Sequence, residues 1–350
     1  MKKVTVCASK TYDILIERGL IDVCGKLLLD AKISPCRVAI LTDDNVDPLY
    51  SKTVEASLED AGFSTIKYVI KNGEDSKSAE SFISFLNFLA SNKLTRSDIL
   101  VALGGGVVGD LCGFCASSYL RGVRFVQIPT TLLSMVDSSV GGKTAINLDA
   151  GKNLAGAFYQ PSLVIIDPNV LDTLTDSIFA DGCAEVIKYG IINDRALFDK
   201  LKYGIKENIE DIIENCVKNK RDIVNIDERD TGVRQLLNLG HTMAHGVEHL
   251  SDFSISHGSA VAIGTAAIAK VSVSLGLMSE GEKDEIVDIL KKYSLPTDCP
   301  YSAIELANIA LSDKKRDGGY INLVIPYSIG DSRLMKVSAT DLEKIFEAGV

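Results

Sequence analysis

The four histidines of this 350-residue chain, His241, His245, His249 and His257, all fall between positions 241 and 257. His241 and His245 are four residues apart in a helical pattern running from 232 to 249. That spacing sets both rings on one helix face, as helices present metal ligands. His257 follows the short loop SDFSIS and opens the next helical pattern, placed to fold back as a third ligand. His249, at the end of its helix, reads as an outer or surface residue. Three imidazoles need a further ligand or a water, and the best acid is Glu185 in the run DGCAEVIK. A carboxylate among apolar side chains needs a partner. A metal would be one; Lys188, three residues on along the same face, would be another, as a plain helical ion pair.

A second chemical signal follows the apolar run ILVAL. Gly104, Gly105, Gly106 and Gly109 satisfy G-x-G-x-x-G where a helix begins. Glycines there let a pyrophosphate approach the backbone, and the helix N-terminus offers free N–H groups. The simple dinucleotide fingerprint also wants an acid about 20 residues on, and RFVQIPTT supplies none. Asp43, beside Asp44 and Asn45 at the end of an earlier strand, is the alternative acid for ribose hydroxyls; it serves equally as a turn or helix cap. Gly141-Gly142-Lys143-Thr144 mimics the end of a phosphate-binding P-loop, but the earlier glycine is missing and KTAINL reads as a strand. A nucleoside triphosphatase is therefore excluded.

The elements that must carry these residues divide the chain. Strand-like runs at 38–43, 65–70, 99–103, 125–130 and 163–167 alternate with helical patterns at 49–62 and 78–91. Such alternation predicts a mainly parallel sheet with helices on both faces. The opening segments 4–8 and 13–17 read as a β-ribbon. After Pro168 helical patterns dominate, at 177–192, 209–226, 233–249 and 258–275, with 321–326 the one strand-like run. The boundary falls near residues 170–176.

Composition narrows the function. The formal charge of -10 opposes a broad nucleic-acid surface. The N-terminal MKKVTVCASK lacks the apolar core of a secretion signal, and the longest apolar stretch, 260–269, is too short to span a bilayer. A cytoplasmic protein with no membrane partner is expected, and eight scattered cysteines then imply no disulfide framework. Cys112 and Cys115 form a C-x-x-C, the spacing of a redox pair or half a zinc knuckle. Their small, apolar surroundings and the lack of a second C-x-x-C favour simple packing.

Taken together, GGGVVGD (104–110), IPTT (128–131), VDSSVGGKTAIN (136–147), GKN (151–153), AEVIK (184–188) and LLNLGHTMAH (236–245) closely resemble the 3-dehydroquinate synthase family, in order and over essentially the whole chain. The resemblance implies an α/β N-terminal Rossmann-like domain with a mainly parallel sheet, residues 1–172. A helix-rich C-terminal metal-binding domain would follow, residues 173–350. It implies NAD and a divalent metal, Zn2+ or Co2+, and usually a homodimer. The family converts 3-deoxy-D-arabino-heptulosonate 7-phosphate to 3-dehydroquinate and phosphate. The steps are transient oxidation, β-elimination of phosphate, reduction and intramolecular aldol closure.

Carried over by position, the metal ligands would be Glu185, His241 and His257. His245 would then be a histidine of the metal surroundings and substrate site, which revises the reading from spacing. NAD would meet Asp43, Asn45, Glu74, Lys77, Gly105, Gly106, Asp110, Thr130, Thr131, Asp137, Ser138 and Lys143. The sugar phosphate would meet Asp137, Lys143, Lys152, Asn153, Lys188, Lys220, Arg234, Asn238, His245 and Lys315, with Lys314 as the fallback for Lys315. Arg121 would reach the phosphate site of a neighbouring subunit. His245, Asn238, Lys188 and Lys152 would carry catalysis. The alternatives are a sibling sugar phosphate cyclase, an iron-type NAD-dependent polyol dehydrogenase, or a non-enzymatic NAD-binding regulatory module.

Overall fold

The computed structural model describes residues 1–314 and 319–350, the side chains of 312–314 excepted. Two compact units result: Met1–Leu174 with Lys220–Arg229, and Thr175–Asn219 with Asp230–Val350.

The first unit opens with β1 (Lys2–Cys7) and β2 (Thr11–Ile16), paired antiparallel. In β1, Val4 and Val6 point inward while Lys3 is exposed, the alternation of a half-covered strand. Then come α1 (Cys24–Asp30), β3 (Arg37–Asp43), α2 (Lys52–Asp60), β4 (Ser64–Ile70), α3 (Ala79–Ser91), β5 (Ile99–Gly104), α4 (Gly106–Ser118) and β6 (Arg124–Pro129). The hairpin β7 (Lys143–Leu148) and β8 (Gly151–Phe158) precedes β9 (Leu163–Ile166). One seven-stranded sheet has the order β1-β2-β9-β6-β5-β3-β4, and every pairing from β2 onward is parallel. Every residue of β5 is buried, as a central parallel strand requires. The same order puts the C-terminal ends of β3, β5 and β6 side by side, the edge where open α/β sheets bind ligands.

The second unit is built from α5 (Asp176–Asn193), α6 (Arg195–Leu201), the first part of α7 (Ile209–Ile226), α8 (His241–Leu250), α9 (His257–Ser274), α10 (Glu280–Lys292), α11 (Ala303–Lys314) and α12 (Leu342–Glu347). A hairpin, β10 (Tyr320–Ser328) and β11 (Asp331–Ser338), completes it. α9 is apolar nearly all round and buried almost throughout, so it forms the centre of this unit. It packs against α5, α8, α10 and α12.

Three details depart from the sequence reading. The pattern 232–249 is not one helix: a 3-10 turn, Val233–Asn238, ends before Gly240, and α8 starts afresh at His241. Gly240 has φ 75, left-handed, and a Cβ there would lie 2.7 Å from the Thr265 backbone nitrogen. Only glycine suits both demands. The strand β8 was hidden by its small residues, which carry little β propensity. The run 321–326 is not alone, because β11 pairs with it; the charged Arg333 and exposed Leu334 break a simple alternation there.

Candidate active site

Glu185 and Lys188 lie in the middle of α5, where residues 182–192 are all buried. Each is only 1% exposed, and the two side chains form an ion pair. His241 opens α8 and His257 opens α9. The Nε2 atoms of His241 and His257 lie 3.6 Å and 3.3 Å from Glu185 Oε1. Glu185, His241 and His257 each offer one ligand atom within 4.8 Å of the others. One carboxylate and two imidazoles form the N/O donor set that divalent zinc and its neighbours accept.

Packing makes this convergence possible. A Cβ at Gly258 would stand 2.3 Å from Asp181 Cα, so α9 closes on α5 only with glycine there. Asp181, one turn before Glu185, also ties the first turn of α9: its Oδ1 accepts from Ser256 Oγ (2.6 Å) and the Ser259 amide (3.1 Å). This is an N-terminal cap supplied by another helix.

The ring nitrogens facing away from Glu185 are also engaged. His241 Nδ1 is 3.0 Å from the Leu239 carbonyl, and His257 Nδ1 is 3.5 Å from Glu248 Oε1. Burial, with help from the Lys188 charge, holds His241 down to about 3, so its imidazole is neutral and ready to donate a lone pair. Burial also opposes charge on His257, but the two flanking carboxylates outweigh it and raise that group to about 10.

His245 is exposed, its ring edge-on to His241 at 5.9 Å between centroids, and lies outside the trio of converging ligand atoms. The i,i+4 reading that took it as a ligand is corrected: same-face spacing does not decide which ring faces a third element. His249 is exposed against Phe253. Glu248 was missed from sequence. Its signal was available, since it stands seven residues after His241, two turns along the same face. In the same unit Arg234 is buried in the 3-10 turn that packs on α5, and Asn238 ends that turn, exposed. Lys315 and the side chain of Lys314 lie outside the described residues.

In the first unit the glycine loop joins β5 to α4. A Cβ on Gly105 would come within 3.2 Å of Thr131, and one on Gly106 within 3.3 Å of Ser138 Oγ, so both side chains flank the loop. The Thr130 amide donates to Gly104 O at 3.0 Å. Asp43 ends β3 and its Oδ1 accepts from the Asn45 and Val46 amides, 2.9 Å and 3.0 Å; burial raises its carboxyl above the ordinary value. The capping reading of Asp43 is thus realised, with Oδ2 left outside those two bonds.

A second cluster joins Lys77 Nζ to Asp110 Oδ2 (2.6 Å) and Asn153 Oδ1 (2.5 Å), while Glu74 accepts from Asn147 Nδ2 at 2.8 Å. Burial raises Asp110 even against the Lys77 charge. Lys220 pairs with Asp137 and also donates to its carbonyl at 2.6 Å. Lys143 begins β7, Lys152 lies near the start of β8, and Arg121 is exposed in the turn after α4 with φ 67. Cys112 and Cys115 lie on the buried face of α4, in the core cluster that includes Phe125, both as free thiols, which is packing.

Comparison with known proteins adds the family. The models for the 3-dehydroquinate synthase N-terminal and C-terminal regions match residues 67–181 and 182–316. A 3-dehydroquinate synthase from Clostridium botulinum is 46% identical over 342 residues, covering 95% of this chain and 97% of that one. Among solved structures, 2-epi-5-epi-valiolone synthase from Streptomyces hygroscopicus subsp. jinggangensis, with NAD+ and Zn2+ bound, superposes with a TM-score of 0.87 at 27% identity, covering 98% and 97% of the two chains. A 2-deoxy-scyllo-inosose synthase complexed with carbaglucose-6-phosphate, NAD+ and Co2+ superposes with a TM-score of 0.88 at 20% identity over the whole of both chains, a likeness of fold. Matched in both halves and close to half identical to a full-length relative, this chain belongs to the 3-dehydroquinate synthase family.

Proposed function

We propose that this chain converts 3-deoxy-D-arabino-heptulosonate 7-phosphate to 3-dehydroquinate and phosphate, using NAD and one divalent metal, Zn2+ or Co2+. The observation that carries the reading is the convergence of Glu185, His241 and His257 beside the buried Lys188, in a chain of this family. The residues fit both groups. Two imidazoles and a buried carboxylate suit the metal, and the β5–α4 loop is tight enough that a side chain at Gly105 or Gly106 would crowd Thr131 or Ser138. When bound, the metal supplies Lewis acidity toward substrate hydroxyls, and NAD supplies a hydride acceptor that is regenerated within the cycle.

Glu185, His241 and His257 are assigned to the metal. The NAD assignments are Asp43, Asn45, Glu74, Lys77, Gly105, Gly106, Asp110, Thr130, Thr131, Asp137, Ser138 and Lys143. In the second unit Lys188 and Arg234 bind substrate anionic groups through charge-assisted hydrogen bonds, the arginine as a bidentate fork. In the first unit Lys152, Asn153, Lys143, Asp137 and Lys220 orient the substrate. Lys315 is assigned to the same anion. His245, held edge-on to His241, takes the proton from the substrate hydroxyl that is oxidised, with Asn238 orienting that oxygen. A homodimer in the cytoplasm, with Arg121 serving the partner's phosphate site, completes the proposal; among the described residues no helix is long and apolar enough to cross a membrane.

Phosphate release from the heptulosonate phosphate, with NAD in catalytic amount and no net NADH, tests the activity. NADH accumulating in step with turnover would favour a polyol dehydrogenase instead. Phosphate release from a different sugar phosphate alone would favour a sibling cyclase. The 46% identity to a dehydroquinate synthase, against 27% and 20% for the two sibling cyclases, supports the first outcome.

A further inference from the structure

His257 is the first residue of α9, and its side chain is 38% exposed, so packing alone does not set the angle of its ring. Two carboxylates face its two nitrogens: Glu185 Oε1 at 3.3 Å from Nε2, and Glu248 Oε1 at 3.5 Å from Nδ1. Glu248 is a buried acid on α8 that no motif or role above has used. Its position differs from that of a ligand. The ring nitrogens point away from one another, so a carboxylate at Nδ1 stands on the far side of the imidazole from a cation at Nε2. The three converging ligand atoms accordingly do not include it.

We propose that Glu248 is a positioning residue for the metal centre, holding the Nδ1–H of His257 so that Nε2 presents its lone pair toward Glu185. The inference rests on the metal reading given above. A histidine that binds a metal through one nitrogen carries its proton on the other, and an acceptor there selects the tautomer, aims the ring and strengthens the donor. His241 has such an acceptor in the Leu239 carbonyl, 3.0 Å from its Nδ1. Glu248 occupies the equivalent place for His257. As a buried acid it also adds negative charge near a divalent ion without entering its coordination, while Glu185 is shared with Lys188.

The experiment is Co2+ titration of the full chain after metal stripping, read by the visible d–d absorption of bound Co2+, for wild type, Glu248→Gln and Glu248→Ala. Glu248→Gln keeps the side-chain shape and is expected to weaken Co2+ affinity about 10- to 100-fold. The d–d band energies should stay at their wild-type positions, because no ligand has been lost. The melting temperature of the stripped protein should be unchanged. Glu248→Ala should weaken binding at least as much; if it fails to fold, the isosteric variant decides. Affinity within twofold of wild type in Glu248→Gln overturns the proposal. So does a shifted d–d spectrum, which would make Glu248 a direct ligand, or a lowered melting temperature with unchanged affinity, which would make it merely structural. Absence of Co2+ binding in the wild type would instead overturn the metal reading itself, so the two failures are distinguishable.

Discussion

Lys188 stands one helical turn after Glu185 on α5, and the two pair where each is only 1% exposed. The pair is at once the helical ion pair that local spacing offers and a lysine held against a carboxylate that two histidines also face. Burial makes the arrangement costly to break: without Glu185 the lysine would be an uncompensated buried charge, and without Lys188 the carboxylate would keep the imidazoles that face it.

Lys188→Met should therefore lower the stability of the metal-stripped chain in urea unfolding, by less than the about 3–5 kcal/mol of a fully orphaned buried charge, because His257 still faces Glu185. Metal should recover much of that loss, since it replaces the lysine as partner of Glu185. Co2+ affinity should rise, because a competing cation is gone, while turnover falls about 100-fold or more. Equal losses of stability with and without Co2+ would contradict the shared role of Glu185.

Chelation followed by gel filtration should abolish phosphate release, and Zn2+ or Co2+ should restore it. Metal at about 100 times its dissociation constant should stabilise the fold by about 2.7 kcal/mol. Glu185→Gln and His241→Ala should lose that increment in thermal melts. Full activity in a chain verified to be free of metal would sink the site.

Gly258 and Asp181 are expected to act on metal binding from a distance. Gly258→Ala puts a Cβ into Asp181 backbone and should cost about 1–3 kcal/mol through overpacking. Asp181→Ala removes the cap on α9 and should cost about 1 kcal/mol. Both should also weaken Co2+ binding, since each loosens His257 relative to Glu185. Gly281 in α10 has open space around a would-be Cβ, so Gly281→Ala should instead stabilise by about 0.5 kcal/mol or more, with Co2+ affinity unchanged.

Stability should fall at alkaline pH through the buried thiols. Burial pushes Cys24 up to about 11 and Cys183 to about 12, and raises Cys112 and Cys115 further. An unfolded thiol titrates at about 8.5. Above that value the unfolded chain loses protons that the fold retains, so stability is complete below it and declines as pH rises. The slope is about 1.4 kcal/mol per pH unit for each such thiol. Urea midpoints from pH 7 to 10 should show the decline, and replacing Cys112 and Cys115 by alanine should flatten it. A thiol-reactive dye at pH 8 should label exposed Cys7 quickly and leave Cys112 and Cys115 unlabelled until the chain is denatured.

Features that depend on local pattern are legible along the chain. The apolar run of β5 with its glycines could only be a buried strand entering a helix, and the alternation around it required a parallel sheet. The four histidines fall together at positions 241–257, and the run of family motifs carries the likeness across the whole chain. Tertiary structure decided what depends on distance between elements. Spacing put His241 and His245 on one face, but only packing turned a nitrogen of His257, and not one of His245, into the group with His241 and Glu185. That outcome depends on Gly240 restarting the helix at His241 and on Gly258 letting α9 close on α5. Glu248 was legible as a residue two turns beyond His241, but its partner belongs to a different helix. Helical periodicity specifies which side chains share a face; what that face meets is set by non-local packing, which no local window contains.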